Sequence, residues 1–178
     1  MFEADTIYAK IAYEAILVYL KSGKKISKDE NDIPPALKLK LACFVSIHEQ
    51  DGELRGCIGT SKPKKDNLYQ EIIDNAIAAA TEDPRFSALK EEELNNITIS
   101  VDVLSPPKDV EDINLLKPHK HGVIVSDDEG SEALLLPNLD GIDSTEKQLE
   151  LAKKKAGINP EISNDKLSIK YFTTTRYK

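Results

Sequence analysis

The stretch Leu54-Arg55-Gly56-Cys57-Ile58-Gly59-Thr60 holds the residues of this chain best suited to chemistry. A thiolate is a nucleophile and a soft metal ligand, and a nearby cation lowers the pKa of a cysteine. Arg55 stands two positions before Cys57, and an arginine can also grip a carboxylate or phosphate bidentately. Glycines weaken a strand and leave nothing to pack, so Gly56 and Gly59 mark a place where another group approaches the backbone. His48 offers a base for a Cys/His pair. Each residue also has a plainer role: Cys57 as a small buried side chain, Arg55 in an ion pair, His48 as an exposed strand histidine. On spacing alone the plainer role is the stronger for Cys57 and His48, and the two balance for Arg55.

Other chemistries find less support. His119 and His121 form an H-x-H that would share a strand face, but no further ligand stands at matching spacing, so no metal site is expected. The glycines make neither G-x-G-x-x-G nor a phosphate-binding loop ending in Lys-Ser/Thr, and no G-x-S-x-G elbow is present. Lys62, Lys64 and Lys65 read most simply as a solvated loop, and Asp83 and Arg85 as the brace of a helix-ending turn. Nothing in the residues points to a cofactor.

These side chains need a frame. Ile7, Ile11, Ala15 and Val18 form one stripe of a helix over 5–22, and Gly23 is placed to stop it. The polar stretch 24–35, ending in Pro34-Pro35, reads as a loop. Residues 41–49 and 53–59 are the arms of a β-hairpin joined at Asp51-Gly52, a two-residue turn signal. A helix over 68–81 follows, with Asn67 and Gln70 at capping-box spacing and Asp83-Pro84 ending it. Ile97, Ile99, Val101 and Val103 alternate with polar residues, which predicts a half-buried strand over 96–104. Strands over 122–126 and 132–136 form a second hairpin. A helix over 145–156, with Asp143 and Glu146 at capping spacing, precedes a last strand over 166–176. Hairpins and helices without regular βαβ alternation predict an α+β fold, a largely antiparallel sheet flanked by helices.

A two-residue turn at Asp51-Gly52 sets Gln50 opposite Glu53, His48 opposite Arg55, Ser46 opposite Cys57 and Phe44 opposite Gly59. Period-two alternation then puts Ser46, His48, Arg55 and Cys57 on one face. Cys43, Val45, Ile47 and Ile58 take the other, the core face, where Gly56 leaves room for a packed helix.

The 178 residues suit one domain, with room for two lobes sharing a core. A net charge of −7 with 31% charged residues fits a soluble chain and argues against nucleic-acid binding by phosphate neutralisation. No apolar run reaches membrane-spanning length, and the acidic start Met1-Phe2-Glu3-Ala4-Asp5 does not read as a leader. Two cysteines without CxxC spacing fit a reduced, cytoplasmic protein.

Leu-Arg-Gly-Cys-Ile-Gly at 54–59 resembles the hallmark of the AMMECR domain family, whose prokaryotic members are also called AmmeMemoRadiSam system protein A. Phe44-Val45-Ser46, Asp83-Pro84-Arg85-Phe86, His121-Gly122, Leu135-Leu136-Pro137 and Lys155-Ala156-Gly157 resemble its other motifs in order and spacing. Two features depart from the pattern: His119 stands where a glycine is common, and no tryptophan follows Pro137. The resemblance covers nearly the whole chain and implies one AMMECR domain over 1–178, with a larger and a smaller lobe and the hallmark near a cleft between them. It implies no known reaction. Co-occurrence of the prokaryotic group with a Memo-like protein and a radical SAM protein implies those two as partners. Two functions are therefore expected. One is a binding or adaptor component, with Ser46, Gly56, Gly59, Thr60, Asp83, Arg85 and His121 as recognition residues. The other is an enzyme in a protein or RNA modification pathway, with Cys57 as reactive thiol, Arg55 orienting an anionic substrate and His48 or His121 moving protons. The lack of a secure base favours the first.

Overall fold

The structure, a computed structural model, describes residues 5–178; residues 1–4 of the acidic start lie outside it. The chain divides into two compact units, one built from the described residues up to Val103 together with Thr175–Lys178, the other from Leu104–Thr174.

The first unit carries the hallmark. Its sheet runs in the order β2-β1-β3-β8, with β1 at Cys43–Glu49, β2 at Leu54–Gly59, β3 at Ile97–Leu104 and β8 at Thr174–Tyr177. Helix α2, Leu68–Thr81, packs on β1 and β2, and α1, Ile7–Ser22, packs on α2. The Asn67 side chain caps α2 by accepting the Gln70 N–H at 2.9 Å, so the predicted bounds hold to the residue. Gly23 ends α1 in the left-handed region, its N–H reaching the Tyr19 carbonyl. Between helices and sheet, Ile16, Leu37, Cys43, Val45, Ile47, Ile72 and Val101 form the fully buried core. Burial of that apolar area is what holds α2 on the hairpin.

The second unit has its own core of Val123, Val125, Leu149, Ala152 and Ile169. Its sheet runs β4-β7-β5-β6, from Lys108–Asp109, Ser168–Phe172, Gly122–Ser126 and Glu132–Leu135, and α3, Thr145–Ala156, packs on β5 and β6. The α+β class and the antiparallel pairing are as expected. Three local expectations change. The α3 cap is Ser144, not Asp143. The last strand breaks at Thr173, whose N–H and carbonyl turn to Ser105, and its halves β7 and β8 enter different sheets. The two-residue strand β4 carries no periodicity signal and was not anticipated.

Candidate functional site: the Cys57 hairpin

The hairpin register agrees with expectation at Cys57 and differs at its tip. Ser46 faces Cys57, Ile47 faces Gly56 and Phe44 faces Gly59. His48, however, pairs with Leu54 rather than Arg55. The loop contains three residues, not two: the Glu49 N–H donates to the Glu53 carbonyl, and Gly52 takes a φ of 92°. That extra loop residue shifts the register by one, and a bulge at Arg55 shifts it back.

Arg55, the bulged residue, is engaged within the fold. Its Nε and Nη2 donate to the Glu93 carboxylate at 2.8 and 3.2 Å, and its Nη1 donates to the Ser87 carbonyl at 3.0 Å. Only 11% of the side chain is exposed. The glycines are also accounted for by internal packing. A Cβ on Gly56 would lie closer than 3.0 Å to the Ala79 carbonyl of α2, and one on Gly59 would enter the Phe44 ring. Thr60 donates its hydroxyl to buried Glu71, whose other oxygen accepts the Lys64 and Lys65 N–H groups at 2.9 and 2.8 Å. That carboxylate thereby ties the loop after the hairpin to the first turn of α2.

Strand β2 is an edge of its sheet, and the turn after α2 closes that edge at Cys57. The buried Asp83 carboxylate accepts the Cys57 N–H at 2.8 Å and the Arg85 N–H at 3.1 Å. Arg85 grips the same carboxylate through Nε and Nη2 at 3.0 and 2.7 Å and reaches the Cys57 carbonyl at 3.4 Å. Asp83 and Arg85 thus replace a missing strand at one residue, one of the ways a sheet edge is blunted. The Arg85 guanidinium, then the two N–H groups, hold the Asp83 carboxyl well below the usual carboxylate range against the effect of burial.

The sheet face away from α2 is polar around the thiol. Ser100 on β3, Ser46 on β1 and Cys57 on β2 stand in one cross-strand row. The Ser46 hydroxyl donates to the Cys57 Sγ at 3.2 Å. One step along β3, the buried Asp102 accepts two bonds from Arg176 of β8, both at 2.8 Å. Arg85 and Arg176 are each anchored on a buried carboxylate, and each has a side chain 56% exposed. His48 stays on this face by alternation from Ser46. Burial, then the charges of Arg176 and Lys178, push its pKa down against the pull of Asp102. No hydrogen bond joins His48 to Cys57 among those the described residues make.

His121 belongs to the second unit. Its Nδ1 accepts the Lys117 N–H at 3.2 Å, its ring lies 5.1 Å from that of Tyr171, and its carbonyl accepts the Gln148 amide at 2.7 Å. An accepting Nδ1 leaves the ring proton on Nε2. Burial and the neighbouring Lys120, Lys117 and His119 lower its pKa. Among the described residues, no group of three or more His, Cys, Asp or Glu is arranged to hold a metal.

The family model AMMECR1 matches residues 9–177. The chain belongs to the AMMECR1 family. A relative from Thermotoga maritima, with no described activity, is 49% identical over 172 residues, covering 96% of this chain and 97% of its own. One from Clostridium acetobutylicum is 42% identical over 96% of this chain, which spans 36% of that longer protein. The crystal structure of an uncharacterised Pyrococcus horikoshii protein superposes with a TM-score of 0.84 at 31% identity, covering 98% of this chain and 92% of its own. No described helix is long and apolar enough to cross a membrane.

Seen in this AMMECR1 chain, the expected site residues fall into distinct roles. Ser46 meets the Cys57 thiol, and Asp83 and Arg85 meet the Cys57 backbone. Arg55, Gly56, Gly59 and Thr60 hold the hairpin against its neighbours. Ser100, Asp102 and Arg176 escaped the sequence reading. A signal existed: Asp102 sits on the face of β3 opposite its Ile/Val alternation yet is buried, and a buried carboxylate demands a cation. Arg176 lies 74 positions away, and sequence spacing cannot pair them.

Proposed function

We propose that this protein is a binding component of its family's pathway, with the Cys57 face of the first unit as its recognition surface. A Memo-like protein and a radical SAM protein are its proposed partners, and the cytoplasm its compartment. The observation that carries the reading is the rigid internal commitment around the thiol. Arg55 is consumed by Glu93 and Ser87, Asp83 and Arg85 close the strand edge, and among the described residues no base bonds to the Cys57 thiol. Such an arrangement presents a fixed surface, with two anchored guanidiniums as its exposed charges. Fixed arginines are favoured at recognition sites because little side-chain entropy is lost on binding. The test is an anaerobic pull-down from the native host, with an Arg85→Gln variant beside the parent. Capture of the two proteins by the parent and a drop of at least tenfold with the variant is expected. Equal capture by both would remove this face from the interaction.

One arrangement favours a second reading, an enzyme using Cys57 as its thiol. Ser46 donates to Sγ, and the Arg85 guanidinium reaches the carbonyl of the same residue. In this reading Arg85 and Arg176 take the anion-orienting role first expected of Arg55, and the substrate is a protein or an RNA undergoing modification. Iodoacetamide labelling tests it, with Cys43 as an internal control. Faster labelling of Cys57 than of a free thiol at pH 7 is the expected outcome, and a slower rate removes nucleophilic catalysis.

A further inference from the structure

We infer that the first unit carries a seat for a small oxyanion, a carboxylate or phosphate group, built from Ser100, Arg176 and Lys178 beside His48. The inference rests on reading the Cys57 face as a recognition surface, and it names what the surface takes up.

A cavity of ≈ 380 Å³ opens between the end of the hairpin, β3 and β8, lined by Asp5, His48, Gly52, Thr98, Ile99, Ser100, Arg176 and Lys178. Its polar side chains are mostly donors: a guanidinium, an ammonium, two hydroxyls and an imidazole, with Asp5 as the one acidic side chain among the lining residues. Arg176 is held in place from behind, since Asp102 takes its Nε and Nη2. A guanidinium oriented in this way meets an oxyanion without first losing side-chain freedom.

Ser100 supplies the independent observation. It is 4% exposed, and its Oγ is buried with no hydrogen-bond partner among the described residues. A buried hydroxyl left unpaired is costly. On a cavity wall beside two cations, the partner that fits is an acceptor delivered by a ligand. Ser100 also begins the row that passes through Ser46 to Cys57. Neighbouring strands lie about 4.8 Å apart, so a group seated at Ser100 sits roughly 10 Å from the thiol. An extended ligand that spans this distance bridges the seat and the sulfur. At His48, burial first and then the charges of Arg176 and Lys178 disfavour protonation, against the pull of Asp102.

The experiment uses the full chain at constant ionic strength, with inorganic phosphate and malonate titrated separately against a chloride control. His48 ring resonances are followed by NMR, and affinity is measured by calorimetry. Either anion is expected to raise the His48 pKa, because it cancels the two facing cations, and the anion that does so identifies phosphate or carboxylate as the natural group. Ser100→Ala is expected to weaken binding about tenfold while leaving the melting temperature of the free protein equal or higher, because an unpaired hydroxyl is removed. Lys178→Gln is expected to weaken binding without affecting folding. Neither anion moving His48, or Ser100→Ala lowering the melting temperature and leaving affinity unchanged, would overturn the inference. Partner capture through Arg85 is a separate readout, so loss of the oxyanion seat and loss of the recognition surface are distinguishable.

Discussion

At the residue scale, the chemistry around Cys57 is governed by two carboxylates more than by the thiol. Asp83 and Asp102 are both buried, and each holds one arginine in a two-bond grip. A buried carboxylate without its cation is expensive, so each pair holds as a unit. The D-P-R turn is therefore a connector between α2 and the hairpin edge. Asp83→Ala removes acceptors for the Cys57 N–H, the Arg85 N–H and the Arg85 guanidinium together. Because Arg85 is more than half exposed and can turn to water, the expected cost is about 2 kcal/mol rather than that of a fully buried pair. Urea unfolding reads that cost, and faster hydrogen exchange at the Cys57 amide localises it. A protected Cys57 amide in the variant would show that Asp83 is not its partner.

At the scale of elements, the hairpin and α2 determine whether the site exists. Gly56 faces Ile47 on the core side, and the Ala79 carbonyl occupies the space where a Cβ would be. Backbone of a paired strand and of the last turn of α2 cannot yield as a flexible side chain would. Gly56→Ala is therefore expected to cost about 3 kcal/mol by overpacking, whereas Gly52→Asn, in the left-handed loop position with open space around it, costs under about 1 kcal/mol. Thermal melts of the two variants decide between steric and conformational glycines. The same hairpin shows how far the sequence could be read. Alternation placed Ser46 against Cys57 and left Gly56 for a helix, because apolar pattern and pleat report on the same face. It did not reveal the third loop residue or the Arg55 bulge. Those two irregularities cancel in register, and neither leaves a mark on the alternation beyond Ile47. Helix α2 was legible to the residue because its cap and its proline stop are local signals. The partners of Arg55 and Asp102 were not, because they are set by tertiary distance across strands and loops.

At the scale of the whole molecule, groups in the fold define a pH window of stability with an asymmetric shape. On the acid side His48 and His121 come first. Both have folded pKa values below the ordinary 6.5, chiefly through burial, so the unfolded chain takes up protons before the folded one, and stability falls as pH drops below about 6.5. The carboxylates follow. Asp83, Asp74 and Glu93 are held down by their Arg and Lys partners against the effect of burial. Their stabilisation is complete above the unfolded carboxylate pKa, about 4, and is lost as pH falls below it. On the alkaline side Cys43 carries the large shift, with Tyr8 and Tyr69 raised in the same direction. Burial under α2 pushes the Cys43 pKa from 9.0 up to about 12, against the Asn75 hydrogen bond. The unfolded thiol ionises near pH 9 while the folded one stays neutral, so stability declines between about 9 and 12. Cys43→Ala abolishes that titration at the cost of a small cavity, and its alkaline limb should flatten while its acid limb keeps the parent shape. Urea midpoints measured from pH 3 to 11 test both limbs at once. An unchanged alkaline limb in Cys43→Ala would assign that limb to Tyr8 and Tyr69, whose phenols burial also pushes up.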